Sequence, residues 1–494
     1  MSQSHGAGAA DQKSIQRSLE EAVGADHVSR RLVDRFYSGH DAWSRRIYQP
    51  LLGLSKDLET EAKKPPPLDG DVGLPRWVVW PGAAAEVAHV VRVANLHGLR
   101  IVPYGGGTSL SGGAGGPHER PTVVVDTKRM SQILDIDETS NVLHVQAGIL
   151  GQELEVRLAR RGLFLGHLPG SFYFSSLGGW LATRSAGELL GRMGRVDELC
   201  VGLTAVLPSG ALVHTRVVPR KSTGPDFKHL LLGAEGRLGI ITAAHLRVSR
   251  RFESRLWEAA LFQTPAGALG ALAAVFREDV RPTVARVLGE TATQRVFGRE
   301  GFGVVLGFGG PEPVVSAERG VARGCVEAAG GEILKEDLAL EWWRTRHRAP
   351  YEVLRRRVRS GSVADEVDAS APWSALAPVG AAMCRALEAL GARTELEWGP
   401  FTLEGGGVTV RFTLSNEEGR GSENGIERGG EDSRERLDEA WEAALRACRA
   451  RGGGEIHHRG VGQMKGAFLE EPRWELFAKI QEALDPKGVF RDLP

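Results

Sequence analysis

Residues 102–113, V-P-Y-G-G-G-T-S-L-S-G-G, constrain the fold of this chain more than any other stretch. Three consecutive glycines follow an apolar, β-branched run, and Thr108 and Ser109 come directly after them. Because glycine has no Cβ, successive backbone N–H groups can converge on one oxyanion, and hydroxyl groups add further donors. The stretch therefore predicts a diphosphate-binding loop, although glycines more often simply permit a tight turn.

Two familiar phosphate-binding folds do not fit this loop. It has no G-K-[ST] ending, which argues against a P-loop, and no G-x-G-x-x-G opens a helix, which argues against a Rossmann fingerprint. Strand-like segments follow at residues 122–126 and 141–147. The loop is thus predicted to lie in a strand-rich domain.

Composition narrows the class of protein. A chain of 494 residues exceeds one ordinary core, so two or three domains are expected. The 62 basic residues balance 62 acidic residues, which gives no case for nucleic-acid binding. The 4 cysteines form no C-x-x-C pair, so neither a disulfide framework nor a zinc site is indicated. With no membrane-length apolar run and no secretory signal, we expect a cytoplasmic protein, and its Gly- and Arg-rich composition suggests a bacterial one.

The pattern of the chain changes three times, which predicts four parts. Residues 1–75 are expected to form a helical arm and linker, and residues 76–251 alternate strand and helix. Residues 252–449 repeat a β-α-β pattern typical of an α+β substrate or cap domain. Within them, residues 416–433 are rich in Gly and charge and predict a mobile loop. Residues 450–494 close the chain with a helical segment.

In the arm, the spacing of Ile15, Leu19, Val23 and Val28 predicts one amphipathic helix over residues 14–33.

Four further motifs follow the glycine loop in order. They are G-H-L-P-G-S-F-Y-F-S-S-L-G-G-W (166–180), T-R-S-A (183–186), R-K-S-T-G-P-D (220–226) and E-G-R-L-G-I-I-T (235–242). Together with the loop they resemble the vanillyl-alcohol-oxidase, or PCMH, type of FAD-binding flavoenzyme. S-T-G-P-D is the element most specific to the alkylglycerone-phosphate synthase branch of that family. The resemblance extends from about Trp77 to the C-terminus.

The resemblance implies an α+β fold: a PCMH-type FAD-binding domain of two subdomains, a cap domain, an N-terminal helical arm, and a C-terminal segment that returns to the flavin site. It implies FAD as the cofactor, held non-covalently because the loop has no histidine beside its glycines. It assigns Arg220 a structural role near the site. The implied FAD contacts are Pro103, Tyr104, Gly105, Gly106, Gly107, Thr108, Ser109, Gly170, Ser171, Phe172, Tyr173, Phe174, Ser175, Ser176, Gly178, Gly179, Thr183, Arg184, Ser185, Ala186, Glu235, Gly236, Arg237, Leu238, Gly239, Ile240 and Ile241.

The candidate catalytic residues also come from the resemblance. His167 matches a histidine beside the active site, although a histidine in a surface loop is the more usual finding. Arg286 matches an arginine at the substrate-facing flavin edge, where it would orient an anion or stabilise the reduced flavin. The alternative interpretation of Arg286 is an arginine at the end of a strand that forms a surface ion pair. His457 and His458 are expected to act as base or substrate anchor, with Arg459 as a further cation. Adjacent histidines alternate in direction along a strand, so no metal site is expected.

The most basic stretch is W-W-R-T-R-H-R-A-P-Y-E-V-L-R-R-R-V-R, at residues 342–359. Such a cluster can bind a phosphate, a carboxylate or an anionic membrane surface. We interpret it as a solvated helix face paired with Asp365, Glu366 and Asp368.

Two departures from the family pattern bear on the reaction. The histidine triplet of the branch is here His457, His458 and Arg459, and the cap tyrosine falls near Thr409. A threonine hydroxyl is far less acidic than a phenol, so acid–base chemistry must differ. We therefore expect hydride transfer from a hydroxyl-bearing, anionic small molecule to flavin N5. The alternatives are an ether-lipid synthase that exchanges an acyl chain for an alcohol, and a non-catalytic flavin-binding protein. Family members often form homodimers.

Overall fold

The computed structural model of the chain describes residues 4–39, 41, 74–113, 120–219, 222, 224–348, 363–414, 431–454, 460–462, 465–466 and 471–490.

The described part of the N-terminal arm contains two helices where one was predicted. Helix α1 (Ser4–Val23) ends at Gly24, whose φ of 89° lies in the region that favours glycine. A 3-10 turn (Ala25–His27) and strand β1 (Val28–Ser29) follow, and helix α2 (Leu32–Ser38) comes next. The prediction of one helix over residues 14–33 is therefore wrong beyond Val23, because Gly24 breaks it and Val28 enters a sheet.

The first sheet has four strands in the order β1-β2-β4-β3. Strands β2 (Trp77–Val79) and β3 (Arg100–Tyr104) each lie parallel to β4 (Thr122–Asp126), and helix α3 (Ala84–His97) connects β2 to β3. Every residue of β4 is buried, as expected for a central parallel strand. The glycine loop begins where β3 ends, at the carboxyl edge of this sheet.

The second sheet has five antiparallel strands in the order β5-β6-β10-β8-β9. These are β5 (Ile133–Asp137), β6 (Val142–Gln146), β8 (Cys200–Val206), β9 (Leu212–His214) and β10 (Ile240–Arg247). A two-stranded pair is formed by β7 (Leu163–Phe164) and β11 (Ser249–Arg250). The helices of this region are α4 (Gly151–Ala159), α5 (Leu177–Thr183), α6 (Leu190–Met193), α7 (Val196–Leu199) and α8 (Lys228–Leu231).

The cap contains a seven-stranded antiparallel sheet in the order β15-β12-β14-β13-β17-β18-β16. Its strands are β12 (Ser254–Phe262), β13 (Val284–Leu288), β14 (Phe302–Gly310), β15 (Glu332–Leu334), β16 (Val363–Pro372), β17 (Ala392–Phe401) and β18 (Gly405–Leu414). Its described helices are α9 (Pro265–Arg277), α10 (Glu290–Phe297), α11 (Glu312–Ala328), α12 (Glu336–Thr345), α13 (Leu376–Glu388) and α14 (Glu431–Arg449). The loop predicted at 416–433 extends too far, because α14 already begins at Glu431; residues 416–430 lie outside the described residues.

The C-terminal segment connects the cap to the first two sheets. Gly454 exchanges two backbone hydrogen bonds with Ser370 of β16, both 2.8 Å long. Helix α15 (Glu471–Leu484) packs Phe477 and Ile480 on the core of the five-stranded sheet. Phe490 pairs with Ile101 of β3 and is fully buried. Among the helices described, none is long and apolar enough to span a membrane.

Candidate cofactor and substrate site

A cavity of about 1410 Å³ extends from the glycine loop to the cap sheet. One end is formed by the loop, by α5 with the residues before it, and by the turn that leads into β10. The other end is formed by α10, the end of α12, and strands β17 and β18. The cavity thus joins a glycine-rich wall to a highly charged one.

All seven residues predicted in the glycine loop, Pro103 to Ser109, lie in the cavity wall. A Cβ on Gly106 would overlap the carbonyl of Phe174, so the backbone of the loop approaches its neighbour as only glycine allows. Gly107 has a φ of +65° and lies against the Tyr104 hydroxyl. The loop has the close packing and the backbone N–H groups that an FAD diphosphate requires.

The second predicted segment lines the cavity with its small residues. Ser176 caps α5 by accepting a hydrogen bond from Gly179 N–H at 3.3 Å, and Ser175 accepts one from Trp180 Nε1 at 2.7 Å. The lining residues of this segment that were predicted are Gly170, Ser171, Phe174, Ser175, Ser176, Gly178, Gly179, Thr183, Ser185 and Ala186.

Phe172, Tyr173 and Arg184 were also predicted to contact FAD, but they do not line the cavity. Phe172 packs on the apolar core of the five-stranded sheet, and Tyr173 is 41% exposed. The Arg184 guanidinium instead donates to the backbone carbonyls of Leu232 and His229, at 3.0 and 3.1 Å. These side chains shape the wall from behind.

In the third predicted segment, residues 235–241, only some of the residues line the cavity. Glu235, Gly236, Ile240 and Ile241 line the cavity, whereas Arg237, Leu238 and Gly239 do not. Arg237 is buried and donates to the Gly462 carbonyl at 3.3 Å, and Leu238 lies in the core.

Glu235 holds the C-terminal segment against the cavity. Its two carboxylate oxygens accept the backbone N–H groups of Val461 and Gly462 at 2.6 and 2.9 Å. Its φ of +51° is unusual for a residue with a Cβ. The turn at residues 460–462 is therefore fixed beside the predicted flavin contacts.

His167 lies behind the cavity wall rather than in its lining. The residue is 1% exposed, and its Nε2 is 2.7 Å from Ser185 Oγ. Its ring packs edge-on against Trp180, 4.8 Å between centroids. The alternative, a histidine in a surface loop, is wrong because His167 is buried. Its observed contacts support Ser185.

Arg286 lines the cavity, but its charge is offset. Nε and Nη2 donate to the carboxylate of Glu188 at 2.9 and 2.7 Å, and Nη1 donates to the Gly399 carbonyl at 2.6 Å. Burial opposes ionisation of Glu188, but the charge and hydrogen bonds of Arg286 outweigh it and lower the pKa of that carboxyl. The ion-pair alternative is thus observed, as a buried pair rather than a surface pair.

The basic stretch is only partly described, and most of its described part lines the cavity. Trp342, Thr345, Arg346, His347 and Arg348 line the cavity at and after the end of α12. Residues 349–359 lie outside the described residues.

Within the described residues, the acids predicted to pair with this stretch bind side chains of neighbouring elements. Asp368 binds Lys465 at 2.7 Å, with both side chains fully buried. Glu366 binds Arg411 at 2.5 Å, and Asp365 accepts a hydrogen bond from Trp441 Nε1 at 3.1 Å.

Arg346 is a half-buried cation in the cavity wall. Its guanidinium lies over the Trp343 ring, 3.4 Å from the centroid, and Nη1 donates to the Trp343 carbonyl. Within the described residues, no carboxylate lies within ion-pair distance of it. Burial lowers the pKa of Arg346 to about 10, with the charge of Glu188 opposing, so the side chain stays protonated at neutral pH.

His347 is the histidine that the described part of the wall presents to the cavity. Its ring packs against Tyr173, 5.1 Å between centroids, and hydrogen-bonds the backbone of Gly170. Its Nδ1 is buried and has no hydrogen-bond partner among the described residues. Burial, reinforced by the charge of Arg346, lowers the pKa of His347, so the imidazole is neutral near pH 7.

The wall formed by β17 and β18 contains paired charges. Arg411 lies between Glu366 and Glu397, and Glu397 also faces Arg295 at 4.0 Å. Burial opposes ionisation of Glu397, but the charge of Arg411 prevails and lowers the pKa of that carboxyl. Thr409 lies in this wall, opposite Glu397 in the sheet. Carboxylates held ionised in this way are poor proton acceptors at neutral pH.

Several predicted residues lie outside the described ones: Arg220, His457, His458 and Arg459. Within the described part of the chain, no group of three or more His, Cys, Asp or Glu side chains is arranged to hold a metal ion. The sequence did not indicate Glu188, His347 or Asp41 as residues of the wall. Asp41 lies in a segment with no recognisable motif.

Comparison with known proteins identifies the class. Residues 75–216 match the family described as FAD binding domain, and residues 253–491 match FAD linked oxidases, C-terminal domain. The chain belongs to the vanillyl-alcohol-oxidase/PCMH family of FAD-binding flavoenzymes, on the branch that resembles alkyldihydroxyacetonephosphate synthase. The predicted cofactor, FAD, and the predicted α+β, PCMH-type fold are confirmed.

Individual relatives match with different coverage. Alkyldihydroxyacetonephosphate synthase of Dictyostelium discoideum is 38% identical over 224 residues, 45% of this chain and 36% of the relative. D-lactate dehydrogenase [cytochrome] 1 of Saccharomyces cerevisiae is 33% identical over 180 residues, 35% of this chain and 30% of the relative. The matched segments thus span about a third of these relatives. The uncharacterized FAD-linked oxidoreductase YgcU of Escherichia coli K12 is 26% identical over an alignment that covers 88% of this chain and 92% of the relative.

A solved structure of alkyldihydroxyacetonephosphate synthase has the same fold. It superposes with a TM-score of 0.77 at 22% identity, covering 97% of this chain and 85% of that chain.

Proposed function

We propose that this chain is an FAD-dependent dehydrogenase or oxidase that oxidises a hydroxyl-bearing carbon of an anionic small molecule. FAD, when bound, supplies the hydride acceptor. The glycine loop and the residues around α5 would hold it non-covalently, since the loop from Pro103 to Ser109 contains no histidine. The similarity to a D-lactate dehydrogenase supports a hydroxy acid as substrate.

The unpaired cations at the cap end of the cavity carry the proposal. Arg346, Arg348 and Arg393 line this end, and no described carboxylate lies within ion-pair distance of any of them. Arg286, Arg295 and Arg411, in contrast, are each paired with glutamates. Arg346 is therefore the better anchor for a substrate carboxylate or phosphate than Arg286, because it is half-buried and forms no ion pair among the described residues.

The oxidation also requires a group that accepts the hydroxyl proton. We propose His457 or His458 for this role, since the C-terminal segment that contains them is anchored at Ser370 and Glu235 on either side. Among the described residues, His347 is the alternative, because its imidazole is neutral and its Nδ1 has no hydrogen-bond partner there. In either case the imidazole accepts the hydroxyl proton as a hydride leaves the carbon that bears the hydroxyl.

Anaerobic absorbance spectroscopy of the FAD-loaded protein tests the proposal. A panel of 2-hydroxy acids and hydroxyalkyl phosphates is added, with neutral alcohols of matched size as controls. Bleaching of the flavin band by an anionic member, and not by its neutral counterpart, is the expected result. No bleaching by any member would count against oxidation.

A second candidate is ether-lipid synthesis, favoured by the 38% identity to alkyldihydroxyacetonephosphate synthase. It predicts exchange between an acyl glycerone phosphate and a fatty alcohol without net flavin reduction. Arg459 and Thr409, which replace a histidine and a tyrosine of that branch, argue against it. A protein that binds FAD and supports neither reaction would be a non-catalytic flavin-binding protein.

A further inference from the structure

The N-terminal arm contacts the glycine loop at both of its ends. At the start of the loop, the Tyr104 hydroxyl donates a hydrogen bond to the backbone carbonyl of Tyr37 in α2, 3.1 Å away. At the end of the loop, the backbone N–H of Gly112 donates to Oδ2 of Asp41 at 2.8 Å. Two separate contacts therefore join the arm to the loop that would receive the FAD diphosphate.

Asp41 is built into the wall of the cavity. Its side chain is fully buried, and the carboxyl also accepts hydrogen bonds from the Gly113 backbone and the Ser109 hydroxyl. Its second oxygen, Oδ1, is buried and has no hydrogen-bond partner within the described residues. Because this atom has no exposed surface, Asp41 acts on the cavity through the backbone that it holds.

The turn that Asp41 holds is also fixed on its other side. Ser109 Oγ and Ser111 Oγ are 3.0 Å apart. Gly462 packs so closely on the Ser111 carbonyl that a Cβ there would overlap it. The turn at residues 109–113 thus lies between the arm and the C-terminal segment, and Ser109 and Gly113 face the cavity.

We propose that Asp41 is a positioning residue contributed by the N-terminal arm, which holds residues 109–113 in the conformation that binds the FAD diphosphate. A glycine-rich loop loses much conformational freedom when it binds a ligand. Hydrogen bonds that order the loop beforehand reduce that loss and so increase affinity. Without Asp41, the N–H groups of Gly112 and Gly113 would lose this acceptor, and the turn would rearrange.

Titration of the flavin-free full-length protein with FAD tests this role directly. Quenching of FAD fluorescence gives the Kd for the wild type, Asp41→Asn, Asp41→Ala and the control Asp34→Ala. Asn keeps an acceptor for Gly112, so its Kd is expected to stay within about threefold of the wild type at pH 6. Asp41→Ala is expected to bind FAD at least about tenfold more weakly. Asp34 bonds Ser29 within the arm, so its variant should bind normally.

Thermal unfolding of each flavin-free protein separates loop order from misfolding. The expected midpoint of Asp41→Ala is close to that of Asp34→Ala. If Asp41→Ala does not fold, Asp41→Leu replaces it, since leucine keeps the buried volume and accepts no hydrogen bond. A Kd for Asp41→Ala or Asp41→Leu equal to that of the wild type would overturn the proposal. Equal weakening in the Asp34 variant would overturn it too, because the whole arm would then be responsible.

Discussion

Glu188 holds Arg286 through two hydrogen bonds, from Nε at 2.9 Å and from Nη2 at 2.7 Å. Glu188 follows α5, and Arg286 lies on β13, so the pair joins the flavin-binding region to the cap across the cavity wall. The side chains are 12% and 11% exposed. A buried pair of this kind positions two domains, and its charge is not available to a substrate.

Removing Glu188 should destabilise the protein, because Arg286 would keep a buried charge without its partner. We expect Glu188→Gln to lower the free energy of unfolding by about 3 kcal/mol, measured by urea unfolding. The matched control is Glu332→Gln, in the exposed pair with Arg299, which should cost less than about 1 kcal/mol. Equal losses in the two variants would contradict the role of the buried pair.

The same pair predicts the acid limb of the stability curve. Because the pKa of Glu188 is lowered in the folded state, the pair contributes its full stability above the ordinary value of 4.5. That contribution is lost as the pH falls below 4.5 through the folded pKa. The wild type should therefore lose stability more steeply than Glu188→Gln below pH 4.5, as measured by urea midpoints.

Arg346 should control substrate affinity more than turnover. Arg346→Gln is expected to raise the KM for an anionic substrate about tenfold or more, with a smaller effect on kcat, because it removes a cation used in binding. Arg299→Gln, far from the cavity wall, is the control. An equal effect on a neutral substrate of the same size would show that Arg346 acts through structure alone.

The histidines can be separated by variants. His457→Gln or His458→Gln is expected to slow flavin reduction at least about a hundredfold while FAD uptake is unchanged, as for loss of a general base. His347→Gln should retain most of the rate. The reverse result, with loss confined to the His347 variant, would make His347 the base. Its rate should then rise as the pH increases through a pKa below 6.5.

FAD affinity should depend on pH through Asp41. Burial raises the pKa of Asp41 to about 7, with hydrogen bonds from Gly112, Gly113 and Ser109 opposing. Below pH 7 the carboxyl is neutral. Above pH 7 it becomes negative beside an anionic diphosphate, so the Kd should rise by up to about tenfold per pH unit.

The groups that face Asp41 should not mask this dependence. The pKa of Tyr104 is raised by burial and by the charges of Asp126 and Asp41, so it stays protonated. Asp126 is paired with Lys128 at 2.7 Å. Asp41→Asn should bind FAD with a flat pH profile, and a wild-type profile equally flat from pH 5.5 to 8.5 would refute the prediction.

The glycine loop can be tested by adding one methyl group. Gly106→Ala should abolish or severely weaken FAD uptake, because its Cβ would overlap the Phe174 carbonyl. Gly270→Ala is the control, since that exposed position in α9 has no atom near its would-be Cβ. A helical Gly→Ala change should stabilise by about 0.5–1 kcal/mol and leave FAD uptake unchanged. Flavin content after purification measures both.

The sequence predicted the parts of the site that depend on local backbone chemistry. The glycine loop from Pro103 to Ser109 lines the cavity throughout, because three adjacent glycines restrict what that backbone can do. It failed where side-chain direction depends on packing. Arg184, Arg237 and His167 belong to recognisable motifs, yet their side chains turn to backbone carbonyls or to Ser185 behind the wall.

The basic stretch shows the opposite error. From composition alone, Arg346 and His347 were expected on a solvated helix face, since charged clusters are usually exposed to solvent. They reach the cavity because α12 ends at Thr345, just before them. No local sequence pattern indicates which side of this helix end is buried. Asp365, Glu366 and Asp368 are close in sequence to the basic stretch, and among the described residues strand alternation gives each of them a partner in a neighbouring element.

The two anchors of the C-terminal segment set a length limit on domain motion. Gly454 is bound to Ser370 at the edge of the cap sheet, and the turn from Gly460 is bound by Glu235 beside the flavin contacts. Six residues, fully extended, reach only about 20 Å. The cap therefore cannot swing away to admit a large substrate unless one anchor is released.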